Sequence, residues 1–389
     1  MMHFRPAPAG RPPIFLHTGW RSRGTWVWSA LCHEPEVMGF NEPLHEALAS
    51  LAPPVIAAVH PDAWHGGDAA LARSWNEVTG LLRPDLTGVP GFHADFATEH
   101  AFAGADAVQP ELEAYLHGLL AHATGVGRVP VVKSCRTLGR VAWMQARFPE
   151  AVHVVLLRRP DAQWASARRE MEVHDNPYFI EMPLLMLARN AEAPVVARAC
   201  QVLRVPLPRP LCQADRARAA AACRRVVAEL SREDRYRGFL AFWVASAVAA
   251  LATDSLLVDA DMLVWSMPYR QEIAAAMALC AGAAFRLGRT SDGNTPVPPL
   301  DPEELTAQRA ALTLLQEYRA TLRPDGYVAA WNMLAAPLVG PAPLAMAPLP
   351  AGEPPGQDGH AASPFASWTL RWLHRPWLRR EGRAAPAAE

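Results

Sequence analysis

Pro13 to Trp28 reads PIFLHTGWRSRGTWVW, and its three parts set the fold. Ile14, Phe15 and Leu16 form a short apolar run of the kind that fills a buried parallel strand. Thr18 to Gly24 is a compact loop holding two glycines, two arginines and a serine. From Thr25 the pattern turns helical, with Trp26, Val27 and Leu31 apolar and no breaker before Pro35. Strand, cationic loop and helix make a geometry that grips a phosphate. The amides that open a helix have no partner inside it, and the helix dipole favours negative charge there. Arg21 and Arg23 add full charges and several donors in a fixed fork. The alternative is a surface turn with two solvated arginines.

The 389 residues are 51% apolar and 19% charged, enough for one large domain or two small ones. With a net charge of -1 there is no global basic field for nucleic acid, so an anion site must be local. The six cysteines show no CxxC pair and no zinc spacing, the N-terminus has no long apolar core, and no stretch reaches transmembrane length. A cytoplasmic protein is the expectation. Of the 37 Lys+Arg, one is lysine, Lys133. Against a background that favours arginine codons, a single retained lysine marks a place where an ammonium is needed; chance survival is the competing explanation.

Further strands are expected at Val129–Val132, ending on Lys133, at Val152–Leu157, ending on Arg158-Arg159-Pro160, and at Ser255–Val258. A possible strand covers Val202–Val205. Helices are expected at Pro110–His122, Leu138–Phe148, after Asp161 as cap, and at Ala214–Leu230, Tyr236–Leu251, Gln271–Ala281 and Ala307–Leu322. Asn176–Met186, rich in proline and aromatics, breaks the pattern, and Pro43 puts Glu42 on a loop soon after the first helix. Short apolar strands alternating with helices imply a three-layer α/β fold with a central parallel sheet flanked by helices. Residues 1–336 read as this domain, 337–366 as a Pro/Ala-rich linker, and 367–389 as an Arg/Trp-rich tail able to pack back, meet a partner or lie on a membrane surface.

The first loop is not a Walker A loop, because G-x-x-x-x-G-K-[ST] is absent. Arg21, Ser22, Gly24, Thr25 and Trp26 resemble the 5'-phosphosulfate loop of the PAPS-dependent sulfotransferases of the bacterial and carbohydrate type, with Arg23 where many members have a small residue. Arg158 at a strand end and Ser166 eight residues on resemble that family's 3'-phosphate clamp. Two helical turns bring the hydroxyl back beside the guanidinium. The resemblance covers residues 13–170 well and 230–285 loosely, and it implies a P-loop-like fold. It also implies sulfuryl transfer from PAPS, a co-substrate that leaves as PAP, to a hydroxyl or amine of a small-molecule or glycan acceptor. Arg21 would stabilise the leaving phosphate as an always-charged donor. The base would be Glu42, from the family's Glu-Pro-Leu-like segment, or His45, with a pKa raised toward neutrality. Lys133 would face the phosphosulfate or the acceptor. The family's further Gly-x-x-Gly-x-Trp-Lys/Arg phosphate segment is not apparent, and Arg286, Gly288 and Arg289 are the candidates for its work; Trp64, Trp75, His174 and Tyr178 either line the acceptor side or pack in the core. No metal is implied and no ligand set for one is offered. The competing readings are another P-loop enzyme such as a nucleotide kinase, and a non-catalytic nucleotide-binding or scaffold protein.

Overall fold

The computed structural model describes residues 11–53, 75–85, 87–207, 215–282, 287 and 297–339. Its strands are β1 (Ile14–Thr18), β2 (Val37–Asn41), β3 (Val129–Ser134), β4 (Val152–Leu157) and β5 (Leu256–Asp259). Its helices are α1 (Gly24–Leu31), α2 (Asn76–Thr79), α3 (Pro110–Gly125), α4 (Val141–Arg147), α5 (Pro160–His174), α6 (Tyr178–Arg189) and α7 (Pro194–Leu203). They continue with α8 (Arg216–Glu229), α9 (Arg232–Leu251), α10 (Ala260–Trp265), α11 (Met267–Ala281), α12 (Pro302–Glu317) and α13 (Pro324–Ala335).

The five strands form one parallel sheet in the order β2-β3-β1-β4-β5. On β1, Ile14 and Leu16 point to one face, where Val27 and Leu31 of α1 and Ile273 and Met277 of α11 cover them. Phe15 points to the other, against Phe40, Val132 and Trp143 and the apolar stripe Leu112, Leu116 and Leu119 of α3. Burial on both faces explains why the strands read as unbroken apolar runs. The second face also carries α9, buried along most of its length, which gathers α6, α7, α12 and α13 around it.

The structure corrects several expectations. β2 was absent from the sequence reading, because Gly39 and Asn41 break the apolar run of VMGFN. Gly39 is required there: a Cβ would come 2.1 Å from the Cys32 Sγ and 2.8 Å from the Trp28 ring. Residues 176–186 are not a break but most of α6, which holds Pro183 inside it. The proline removes one intrahelical bond, and burial of Leu184, Leu185, Met186 and Leu187 outweighs that loss. Val202–Val205 is no strand: α7 runs to Leu203 and ends at Arg204 in the left-handed region. Asp161 does not cap α5, whose N-cap is Arg159; it lies in the buried first turn, 2.5 Å from Arg159 Nη2. Residues 138–148 divide into a 3-10 turn, Leu138–Arg140, and α4. The expected linker begins in a 3-10 turn, Ala336–Leu338, and its remainder from residue 340, the tail, Trp64, Arg286, Gly288 and Arg289 lie outside the described residues.

Two buried polar constructions hold the layers. His153 Nε2 faces the Phe148 carbonyl at 3.1 Å and must donate, so its Nδ1 accepts from His17 Nε2 at 3.1 Å and His17 Nδ1 accepts from the Thr137 hydroxyl at 2.9 Å. This chain fixes both tautomers and ties β4 and β1 to the turn after β3. Burial pushes His17 and His153 well below the ordinary histidine range, so both stay neutral. On the helical side the fully buried Glu304 accepts from Trp164 Nε1 at 2.8 Å, from Arg232 at 2.9 and 2.8 Å, and from the Asp301 amide at 3.0 Å. It therefore joins α5, α9 and α12. Glu304→Ala strands the buried Trp164 N–H, while Arg232, half in solvent, rehydrates. The expected loss is about 1–3 kcal/mol, read as a lower urea midpoint at unchanged slope.

Candidate active site

The carboxyl ends of all five strands meet along one edge, the place where open parallel sheets bind ligands. The loop after β1 turns so tightly that Arg21 and Arg23 adopt positive φ, 59° and 65°. Glycine takes this region freely, whereas a longer side chain there costs about 1–2 kcal/mol. Ser22 spends its hydroxyl inside the loop, on the Gly19 carbonyl at 2.7 Å. Gly24 opens α1 directly above β1 and β3: a Cβ would come 2.8 Å from Thr18 Cγ2 and 2.9 Å from Lys133 Cε. Trp26 is half-buried against the core beneath α1.

Two charged groups flank this helix start. On one side Arg21 Nε donates to Ser166 Oγ at 2.8 Å and its Nη2 to Glu170 at 2.9 Å, with the guanidinium over the Phe179 ring. Arg158 Nη1 donates to the Arg21 carbonyl at 2.8 Å and its Nε faces Asp261 at 3.3 Å. Arg23 Nη1 meets the same Asp261 oxygen at 2.6 Å. The Arg158 carbonyl is gripped by Gln163 of α5 at 2.8 Å and Trp243 of α9 at 3.0 Å, so the strand end is rigid. Burial and the neighbouring Arg23 bring Arg158 down to about 10, yet it stays charged at neutral pH. Arg23 Nε is buried without a hydrogen-bond partner, a donor that a bound anion would satisfy.

On the other side stands Glu42, itself at φ 50°. Its amide donates to the Lys133 carbonyl at 2.7 Å, its carbonyl accepts from His45 at 2.9 Å, and Tyr115 of α3 holds the next carbonyl, Pro43, at 2.8 Å. Its carboxylate accepts from Lys133 Nζ at 2.6 Å, the Cys135 amide at 3.0 Å and Arg136 Nη1 at 2.9 Å. Burial favours the neutral acid, but Lys133 and Arg136 outweigh it and hold Glu42 at about 2. Burial likewise opposes the ammonium of Lys133, which the Cys135 sulfur and Glu42 keep above the ordinary lysine range. Lys133 Nζ also lies 3.5 Å from Thr25 Oγ1, in the first turn of α1.

Sequence reasoning missed Arg136, Glu46, Glu170 and Asp261. Arg136 Nη2 donates to Glu46 at 2.8 Å and to Tyr178 Oη. Arg136 and Asp261 each lie two residues past a strand end, Glu46 five past β2 and Glu170 inside α5, so no common spacing along the chain marks them. The structure also separates the two candidate bases. The Ala47 amide donates to His45 Nδ1 at 3.1 Å, so Nε2 carries the proton and faces Tyr178 Oη at 3.3 Å. Neutral His45 therefore has no unused lone pair, and burial, with Arg136 nearby, pulls it down to about 4. Neither base has the raised pKa expected from the sequence: Glu42 is an ionised carboxylate and His45 a capping residue. Arg21 lies with Ser166 and Glu170 on one side of the α1 start, and Lys133 lies with Glu42 and Thr25 on the other. Trp75 and Tyr178 both contact the His45 ring, whereas His174 ends α5 in an exposed position.

No model of a known protein family matches the chain, and no curated protein matches its sequence. Among the described residues no group of three or more His, Cys, Asp or Glu is arranged to hold a metal, and no helix is long and apolar enough to cross a membrane.

Asp259, at the end of β5, caps α10 through the amides of Asp261 at 2.8 Å and Met262 at 3.0 Å. Burial, with Asp261 adding to it, raises Asp259 to about 6. A raised carboxyl pKa means that the folded state binds the proton more tightly, so the cost of the charge is present above pH 6 and disappears as the pH falls toward 4. Asp259→Asn keeps the cap oxygen and drops the charge. It is expected to stabilise the fold by about 2 kcal/mol at pH 7.5, with the gap closing below pH 6 in thermal melts.

Proposed function

We propose that the protein is a PAPS-dependent sulfotransferase of the bacterial and carbohydrate type, transferring a sulfuryl group to an acceptor hydroxyl or amine. One observation carries this reading. The guanidinium of Arg21 and the hydroxyl of Ser166, 145 residues apart in the chain, are 2.8 Å apart, with Arg158 on the Arg21 carbonyl. The two sequence stretches that resemble the family's two phosphate segments thus face one basin. The close approach of Gly24 to Lys133 and the orphaned Arg23 Nε suit a bound anion as well.

PAPS supplies the sulfuryl group: a bond from sulfur to the acceptor forms as the bond to the leaving phosphate oxygen breaks, and that oxygen keeps the electron pair. The amides of the α1 first turn, Thr25 and Lys133 would receive the phosphosulfate, since they lie nearest to Glu42. Lys133 takes over at that oxygen the role the sequence reading gives to Arg21. One aimed donor of this kind is worth roughly 10²–10³ in rate. Arg21, Arg158, Ser166 and Arg23 would hold the 3'-phosphate. Glu42, already ionised, would take the acceptor proton. An anion beside Lys133 competes for its hydrogen bonds, weakens its hold on Glu42 and makes that carboxylate a stronger base. Trp75 stands on the Glu42 side and would meet the acceptor, while the Tyr178 hydroxyl is taken up by Arg136, His45 and Glu46.

Arg158→Ala is expected to weaken PAP binding by about 1.5–3 kcal/mol and Ser166→Ala by about 1 kcal/mol, while 5'-AMP, lacking the 3'-phosphate, binds as before. Unchanged PAP affinity in both variants would overturn the assignment of this basin to a 3'-phosphate.

A further inference from the structure

Arg136 is the most deeply buried charge at the site, with its side chain 1% exposed. Such a cation is stable only when carboxylates surround it in good geometry. It has two, both from the segment after β2: Nη1 holds Glu42 at 2.9 Å and Nη2 holds Glu46 at 2.8 Å. The far side of the guanidinium faces Trp20, 5.6 Å from the ring centre. Tyr178 completes the arrangement. Its oxygen accepts from Arg136 and from His45 Nε2, so its own hydrogen goes to Glu46 Oε1 at 3.3 Å. A planar fork joined to two carboxylates in this way has one orientation only.

We propose that Arg136 is a positioning residue that aims the Glu42 carboxylate, and that Glu46 and Tyr178 act on Glu42 only through it. This rests on the reading of Glu42 as the acceptor base. The groups facing Glu42 are Lys133 and Cys135 of β3 and its turn, Arg136, and His45 and Glu46 of its own segment, with Tyr178 of α6 and Thr25 of α1 next to them. Lys133 and Arg136 are the cations among them. Lys133 is the one the phosphosulfate would share, so Arg136 is then the one cation left to Glu42, beside the Cys135 amide. Removing Arg136 takes away one of two opposing charges and raises the proton affinity of Glu42. Removing the charge of Glu46 leaves Arg136 wholly to Glu42 and has the opposite sign. The charge-neutral Tyr178→Phe, which alters only the hydrogen bonding of Arg136, separates positioning from the bare Coulomb effect of removing a charge.

The full-length chain offers a direct probe, because Lys133 is its only lysine and a [13Cε]lysine-labelled protein gives one lysine side-chain signal. Lys133 Nζ is 2.6 Å from Glu42, so this signal senses protonation of that carboxylate. Its acid inflection is expected to move up by roughly 1–3 pH units in Arg136→Met and to move below the wild-type position in Glu46→Gln. Should Arg136→Met fail to fold, Tyr178→Phe loosens the same anchor without touching a charge, and its inflection is expected to rise by less than in a full charge removal, about half a pH unit. PAPS consumption is followed in the same samples, with kcat expected to fall at least about tenfold in Tyr178→Phe while PAP affinity stays within about twofold. Inflections that coincide in wild type, Glu46→Gln and Tyr178→Phe, or that shift in the same direction for Arg136→Met and Glu46→Gln, would overturn the proposal. No PAPS consumption by the wild type, with the inflections ordered as predicted, would instead overturn the sulfotransferase reading and leave the Arg136 network standing.

Discussion

The ammonium of Lys133 lies 2.6 Å from Glu42 and 3.5 Å from Thr25, so one cation connects the end of β3, the segment after β2 and the helix that follows β1. A buried ion pair is a poor way to gain stability, since the desolvation of both charges consumes most of their attraction. Here the Cys135 amide and Arg136 complete the carboxylate's hydrogen bonding, which makes the pair tolerable and gives it one geometry. Room is short as well. Lys133 Cε passes so close under Gly24 that a side chain on that residue would meet it at 2.9 Å. A planar guanidinium is wider than a methylene chain ending in a point charge. The one lysine among 36 arginines thus stands where a slender cationic side chain passes under a helix start.

Strain accompanies that placement. Arg21, Arg23 and Glu42 sit in the left-handed region without being glycines, whereas Asp175 and Arg204, which share the conformation, simply end helices. Backbone held against its preference persists where the surroundings over-determine it, and such positions gather at functional sites. The surroundings are visible: Glu42 is fixed by its amide, its carbonyl and three donors to its carboxylate, and Arg23 by Asp261. Each of these side chains is also charged and turned toward the same sheet edge.

The fold class was legible because parallel strands buried on both faces have no alternation to disguise them. Ile14–Leu16, Val129–Val132 and Val152–Leu157 stand out as apolar runs, and Gly282 ends α11 in the left-handed conformation expected of a stop glycine. β2 escaped because a strand of five residues at the sheet edge, carrying a glycine for helix clearance, has no periodic signal. α6 escaped because local proline rules were overridden by burial of its apolar side. At the site, residues next to glycines and strand ends were found from sequence. Their partners were not: Asp261, Glu170 and Arg136 are brought in by the sheet order, and no spacing along the chain encodes it. The roles of Glu42 and His45 were undecidable for the same reason, since they differ only in which distant donors reach them.

The proposed function requires this sheet edge to recognise a nucleotide carrying both a 5' and a 3' phosphate. Calorimetric titration of the full-length protein with PAP, with ATP and 5'-AMP as comparisons, tests it most directly. Tight binding of PAP, with ATP and 5'-AMP at least about tenfold weaker, is the predicted result, because the 3'-phosphate alone reaches Arg158 and Ser166. Equal affinity for PAP and 5'-AMP, or preference for ATP, would contradict it.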